Sequence, residues 1–294
     1  MEMTLPVEAV LAADSLLGEG AVWDAGRRIL WFVDIKRHRL WHFDPTNGSN
    51  GVAEAPDQIG WAVPAEGGLL LCGLKDGLYT FAPETDTFTK LASIPGEPAT
   101  NRLNDACTDP WGRVWFGSMD DGEREGSGRF YVFDRGTIRA AGPSGITITN
   151  GPAVNAAGSR IYFTDTGAQK IFVADLSEAG VDEARLFADT GALFPHAYPD
   201  GPVVDAEDHL WTGLYFGSCV ARFSPDGALV ATVSIPARDV TKMAFGGPDL
   251  STAFVTTAIK NMSGADMAQL PLSGSLFAFP APVAGVAQTL AKLG

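Results

Sequence analysis

One motif, repeated along the chain, limits what this sequence can fold into. It appears as GEGAVWDAGRRILWF from Gly18, NDACTDPWGRVWF from Asn104, NGPAVNAAGSRIYF from Asn150 and YPDGPVVDAEDHLW from Tyr198. Each copy has an oxygen-bearing side chain, then Gly or Asp, then a short apolar or small-residue run. Asp or Asn follows, then a turn and a strand containing an aromatic residue. Superposing the copies puts Glu19, Asn104, Asn150 and Asp200 at one position. Serial units that cannot each bury an apolar face alone must stack on one another. In a closed ring of such units, side chains at one repeat position converge on the axis.

A second recurring feature sets the period. ILWFVD is followed by RLWHFDPTNG, GLLLCGL by GLYTFAPETD, and RVWFGSMD by RFYVFDRGT; RIYFTDT, HLWTGLY and TAFVTTA open three further pairs. Six copies spaced by roughly 40 to 50 residues match the blades of a propeller. Alternation such as that of Arg129–Phe133 has the period of a strand. The segments GVAEAPD, FTKLASI, TIRAAG, EARLFAD, ALVATVSI and VAQTLAKL fit a fourth strand in each unit. The expected fold is all-β: a six-bladed β-propeller with a metal site on the central axis, in one domain over residues 1–294. The run Val7 to Ala12 is expected to pair with the last blade, which removes exposed strand edges. Two inserts break the repeat, DDGEREGSG at 120–128 and residues 261–269; the first is a lid candidate.

Composition excludes several classes. A net charge of -14 disfavours nucleic acid, whose phosphates need Lys and Arg, and disfavours an anionic membrane surface. No apolar run approaches the roughly 20 residues that span a bilayer. Cys72, Cys107 and Cys219 are odd in number, far apart and set in apolar runs, so buried thiols are expected and not a disulfide framework. Acidic residues stand near the N-terminus where a secretory signal carries positive charge. These features point to a cytoplasmic protein.

The repeat-position residues Glu19, Asn150 and Asp200 offer oxygen ligands alone, a set suited to Ca²⁺, Mg²⁺, Mn²⁺, Fe²⁺ or Zn²⁺. Any one Asn or Asp before Gly is an ordinary turn former. Turns do not call for Glu19, however, and crowded carboxylates need a compensating cation. The ring is asymmetric: Ile59-Gly60 and Thr241-Lys242 hold the other two positions, and Lys242 either supplies positive charge or reaches solvent. His38, His42, His196 and His209 lack zinc-protease spacing; His196, just before Tyr198-Pro-Asp, is the one near enough in sequence to reach the pocket, and a surface position is the expectation for it. Arg102 precedes an inner strand and should point to the same mouth, free for a hydroxyl-rich or carboxylate-bearing ligand or paired with Asp105 or a neighbouring acid. No Gly-x-Ser-x-Gly elbow, Walker loop or dinucleotide fingerprint occurs.

At LGEGAVWD, RLNDACTDPWGRVWFGSM, ITITNGPAVN with YFTDT, and YPDGPVVDAEDHLW, the chain resembles the regucalcin, gluconolactonase and luciferin-regenerating family. APDQ, WFGSMDDGE, GGPDL and AQLPLSG draw it toward bacterial sugar-acid lactonases such as xylonolactonases. The resemblance implies a six-bladed propeller with one divalent metal on Glu19, Asn150 and Asp200, with Asp200 also the general base. It implies substrate contacts from Arg102, Asn104 and an acid near Asp121, for which Asp120 and Glu123 compete. The implied activity is metal-dependent hydrolysis of an aldonolactone such as xylono-, arabinono- or gluconolactone by a monomer, with a small-molecule substrate as its partner. The alternative is a non-catalytic, cation-binding propeller of the regucalcin type.

Overall fold

Short apolar runs punctuated by Gly, Asp and Pro favour antiparallel hairpins over helices, and strands cover most of the chain. The computed structural model describes all 294 residues. The fold is all-β and propeller-like, built from up-and-down antiparallel sheets. Three sheets have four strands each, over residues 18–54, 59–92 and 101–146. A fourth covers residues 149–189, where Lys170–Ser177 pairs with both Gly180–Val181 and Arg185–Asp189. The last sheet has eight strands in two antiparallel halves. One half is residues 198–234; the other is residues 239–280 together with Glu8–Leu11. A single parallel pair, Gly201 with Lys242, joins the halves.

The expected pairing of the N-terminal run holds: Glu8–Leu11 lies antiparallel to Leu276–Pro280. The expectation for VAQTLAKL does not. That segment forms no outer strand, because Glu8–Leu11 already occupies the edge. Instead it crosses other units: Gly285, just before it, bridges Asp205, and its Ala291 bridges Ala65.

Apolar side chains fill the space between successive units. Trp23 and Phe32 of the first unit share one cluster with Phe254 and Leu276 of the last, so the two ends of the chain pack together. The motif's second acid has a structural task. Asp24 ends the first strand of its unit and Asp109 and Asp205 directly follow theirs, and each accepts a hydrogen bond from the indole of the next strand: Trp31 at 3.3 Å, Trp115 at 2.8 Å and Trp211 at 2.9 Å. Burying these carboxylates without such donors would be costly. The three cysteines are free. The insert at 261–269 contains the short helix Gly264–Gln269, whose start is closed by a reciprocal Ser263–Asp266 capping box. No helix is long and apolar enough to cross a membrane.

Candidate metal and substrate site

The first strand of every unit breaks register once near its start. The shifts fall between Glu19 and Val22, Ile59 and Trp61, Leu103 and Ala106, Asn150 and Ala153, Pro199 and Pro202, and Val240 and Met243. A bulge re-aims the side chains beside it. Gly20 and Gly151, which follow Glu19 and Asn150, have φ of +59° and +73°. A Cβ at Gly151 would also lie 2.8 Å from Pro202 Cγ, so glycine answers both the turn and the close approach. The result is one cavity of about 200 Å³ lined by Glu19, Asn104, Asn150 and Asp200 together with Arg102. The repeat position therefore converges as the sequence motif implies.

Glu19 and Asp200 are buried and line the same cavity. Burial, then the nearby Asp105 charge, pushes the Glu19 carboxyl up to about 7, against the opposing pull of Lys242 and the Gly20 N–H. Gly20 N–H donates to Glu19 Oε2 at 3.0 Å. Burial and the Glu19 charge hold the Asp200 carboxyl well above the usual range. Asp200 Oδ1 is buried with no hydrogen-bond partner. Asn150 Nδ2 donates to Thr166 Oγ1 at 2.9 Å, which fixes the amide and turns Oδ1, the atom able to act as a ligand, the other way. Two crowded acids, an orphaned carboxylate oxygen and a fixed amide oxygen fit a hard or borderline divalent cation. No three His, Cys, Asp or Glu side chains gather as a metal cluster; a cation here would draw on the Asn150 amide as well as the two acids.

Asn104 is turned toward Asn150. Its Nδ2 donates to Thr149 O at 2.6 Å and to Asn150 Oδ1 at 3.0 Å, and its Oδ1 accepts from Arg102 Nη1. Arg102 is buried, donates through Nη1 to Leu103 O at 3.2 Å and through Nε to Asp121 Oδ1 at 3.2 Å, and leaves Nη2 without a protein partner. It pairs with Asp121 and not with Asp105.

The three acids of the first insert have separate places. Asp120 Oδ2 accepts the N–H groups of Arg124 at 3.1 Å and Glu125 at 3.2 Å, closing the turn. Asp121 does not line the cavity, in contrast to its expected substrate contact. It sits behind Arg102, bonded also to Lys36, Lys75 and Gln58. Burial alone would raise its carboxyl, but the Lys36 and Gln58 hydrogen bonds and the surrounding cations hold it far below the usual range. Glu123 is the insert's acid at the cavity, with φ of +58° and an ion pair to Lys260, just before the second insert.

Lys242 is buried and paired with Asp105, whose Oδ2 accepts Gly151 N–H at 2.9 Å. The pair borders a second cavity of about 140 Å³, lined also by residues 286–289. His196 is exposed and does not line the cavity that holds Glu19 and Asp200. Sequence reasoning missed Thr166, Phe216 and Lys260 as lining residues. Thr166 stands in the quoted YFTDT stretch; Phe216 lies in a hairpin turn and Lys260 at the edge of an insert, where no repeat signal exists.

The sequence profile of the SMP-30/Gluconolactonase/LRE-like region matches residues 17–259. A 6-deoxy-6-sulfogluconolactonase of Pseudomonas putida is 30% identical over 288 residues, 98% of this chain and 99% of that one. A pentonolactonase of Haloferax volcanii is 32% identical over 255 residues, 86% of each chain. The crystal structure of a calcium-binding protein, regucalcin, from Agrobacterium tumefaciens superposes with a TM-score of 0.93 at 26% identity, covering 97% of both chains.

Proposed function

Because the chain belongs to the SMP-30/gluconolactonase/LRE-like family, we propose that it is a carboxylic-ester hydrolase opening an aldonolactone, such as xylono-, arabinono- or gluconolactone, to the sugar acid. The fold is read as one domain, a ring of six four-stranded blades, with the eight-stranded sheet counted as two. Six apolar clusters, each between neighbouring units, support that count. The observation that carries the functional reading is the unpartnered, buried Asp200 Oδ1 beside Glu19 in a cavity that also holds Arg102. The lactonases named above support the reaction class.

Glu19, Asn150 and Asp200 would hold the divalent cation, which supplies Lewis acidity at the lactone carbonyl when bound. The remaining chemistry belongs to the chain. Asp200 accepts a proton from the attacking water through the carboxylate oxygen that does not face the cation. Arg102 Nη2 donates to a substrate oxygen, and Glu123 accepts from a sugar hydroxyl, so that the ester is oriented toward the acids. Asn104 acts mainly by fixing the Asn150 amide and Arg102. Asp121 holds Arg102 from behind.

A cation-binding role without catalysis is the second reading, favoured by the likeness to regucalcin. Fold alone does not decide between them. Hydrolysis of freshly prepared pentono- and hexonolactones, followed by pH-stat before and after chelator treatment, does. The lactonase reading expects turnover that chelation removes and added cation restores. Absence of turnover across the panel with every cation added supports the second reading.

A further inference from the structure

Phe216 stands out among the cavity's residues. It joins the strands Leu210–Tyr215 and Cys219–Phe223, and its φ is +63°. That left-handed region is strained for a residue bearing a bulky side chain. The neighbouring Gly217 is not used for it: Gly217 has no left-handed φ, and its missing Cβ instead allows close packing on Leu214. The strained conformation puts a ring that is 40% exposed on the cavity wall.

The ring is fixed from several sides. Tyr215 and Tyr198 meet it edge-on, with centroids at 4.8 Å and 6.1 Å. The Arg238 guanidinium lies over it at 5.0 Å and is itself held by both oxygens of Asp239, at 2.8 Å and 2.9 Å, and by Asp266 at 3.1 Å. Tyr198, Tyr215 and Phe216 thus form an aromatic wall, while Arg102, Glu123 and Lys260, from other units, present charge to the same space. A cavity with these two kinds of wall fits a ligand with two kinds of face. A sugar lactone has them: C–H groups suit an aromatic surface, and hydroxyls suit carboxylate and cationic groups.

We propose that Phe216 is a specificity-determining residue whose ring carries the C–H face of the lactone while the hydroxyls turn to Arg102, Glu123 and Lys260. This rests on the lactone reading above. It selects lactones with an uninterrupted C–H face and disfavours epimers that turn a hydroxyl toward the ring. Backbone strain is retained at position 216 because the ring is needed there.

The test compares wild type with Phe216→Gly and Phe216→Leu. Glycine relieves the positive φ, so Phe216→Gly should keep or raise the melting temperature. It should raise KM for the preferred lactone about tenfold, with kcat within about threefold, and flatten discrimination between epimers. Phe216→Leu, apolar but lacking the ring face, should fall between. A Phe216→Gly protein with KM within about twofold of wild type on every lactone, and unchanged epimer preference, overturns the proposal. Calorimetric titration with an anhydropentitol and an anhydrohexitol, cyclic polyols that cannot be hydrolysed, separates this failure from failure of the lactone reading. If wild type opens no lactone, that reading falls; the wall then stands only if a polyol binds wild type about tenfold more tightly than Phe216→Gly. Equal binding, or none to wild type, overturns it.

Discussion

Arg102 Nε donates to Asp121 Oδ1 at 3.2 Å from a position almost wholly shielded from water. The acid first expected to touch substrate therefore aims the arginine. Lys36 and Lys75 lie on the same carboxylate, so three cations converge on one anion, and Asp121 is the one group that all three share.

Asp121→Asn should loosen Arg102 while leaving the acids at Glu19 and Asp200 in place. The expected outcome is a rise in KM of about tenfold with a smaller fall in kcat, because orientation and not proton transfer is lost. Glu123→Gln should affect KM more weakly, since it keeps a hydrogen-bonding oxygen at the cavity. Steady-state kinetics on both variants with one lactone checks the order. Equal KM values for Asp121→Asn and wild type would place the arginine's support elsewhere.

Metal removal should make stability depend on pH in a defined direction. Glu19 titrates near 4.5 when unperturbed and is raised to about 7 by burial in the fold. The folded protein then holds more protons than the unfolded chain between those values. Its contribution to stability is present in full below about 4.5 and is lost as pH rises through about 7, on the order of 3 kcal/mol for the single group. Asp200 shifts in the same direction. Thermal melts of chelated protein should therefore drop across this window, and a bound divalent cation should raise the melting temperature more at pH 8 than at pH 5. A cation effect that is equal at both pH values would contradict the assignment.

The Asp105–Lys242 pair predicts an asymmetric cost. Lys242→Met leaves Asp105 buried without its cation and should destabilise the protein by about 3–5 kcal/mol. Adding Asp105→Asn to that variant should recover part of the loss, because the stranded charge is gone. Urea melts of the two variants and wild type measure this. A double variant that is less stable than Lys242→Met would show that Asp105 contributes independently of the lysine.

The propeller-like fold was legible because each unit repeats the same physical problem. Turn acids such as Asp24, Asp109 and Asp205 recur at a fixed distance after Glu19, Asn104 and Asp200, and each binds an indole in the next strand. The converging polar residues were legible for the same reason. Asp121 was misplaced because an insert has no repeat to fix its geometry; three nearby acids compete, and only packing against Lys36 and Lys75 sorts them. Phe216 left no trace in the pattern, since its conformation depends on tertiary contacts with Tyr198 and Arg238. The C-terminal strand was misread because propensity does not reveal that Glu8–Leu11 already holds that edge.

The most direct measurement is the hydrolysis rate of Asp200→Asn at saturating cation and lactone, beside a melt of the same protein. Removing the buried carboxylate should leave the fold at least as stable in the absence of cation, and should lower kcat by about 10³-fold or more. A well-folded Asp200→Asn protein that opens lactones at the wild-type rate would contradict the account.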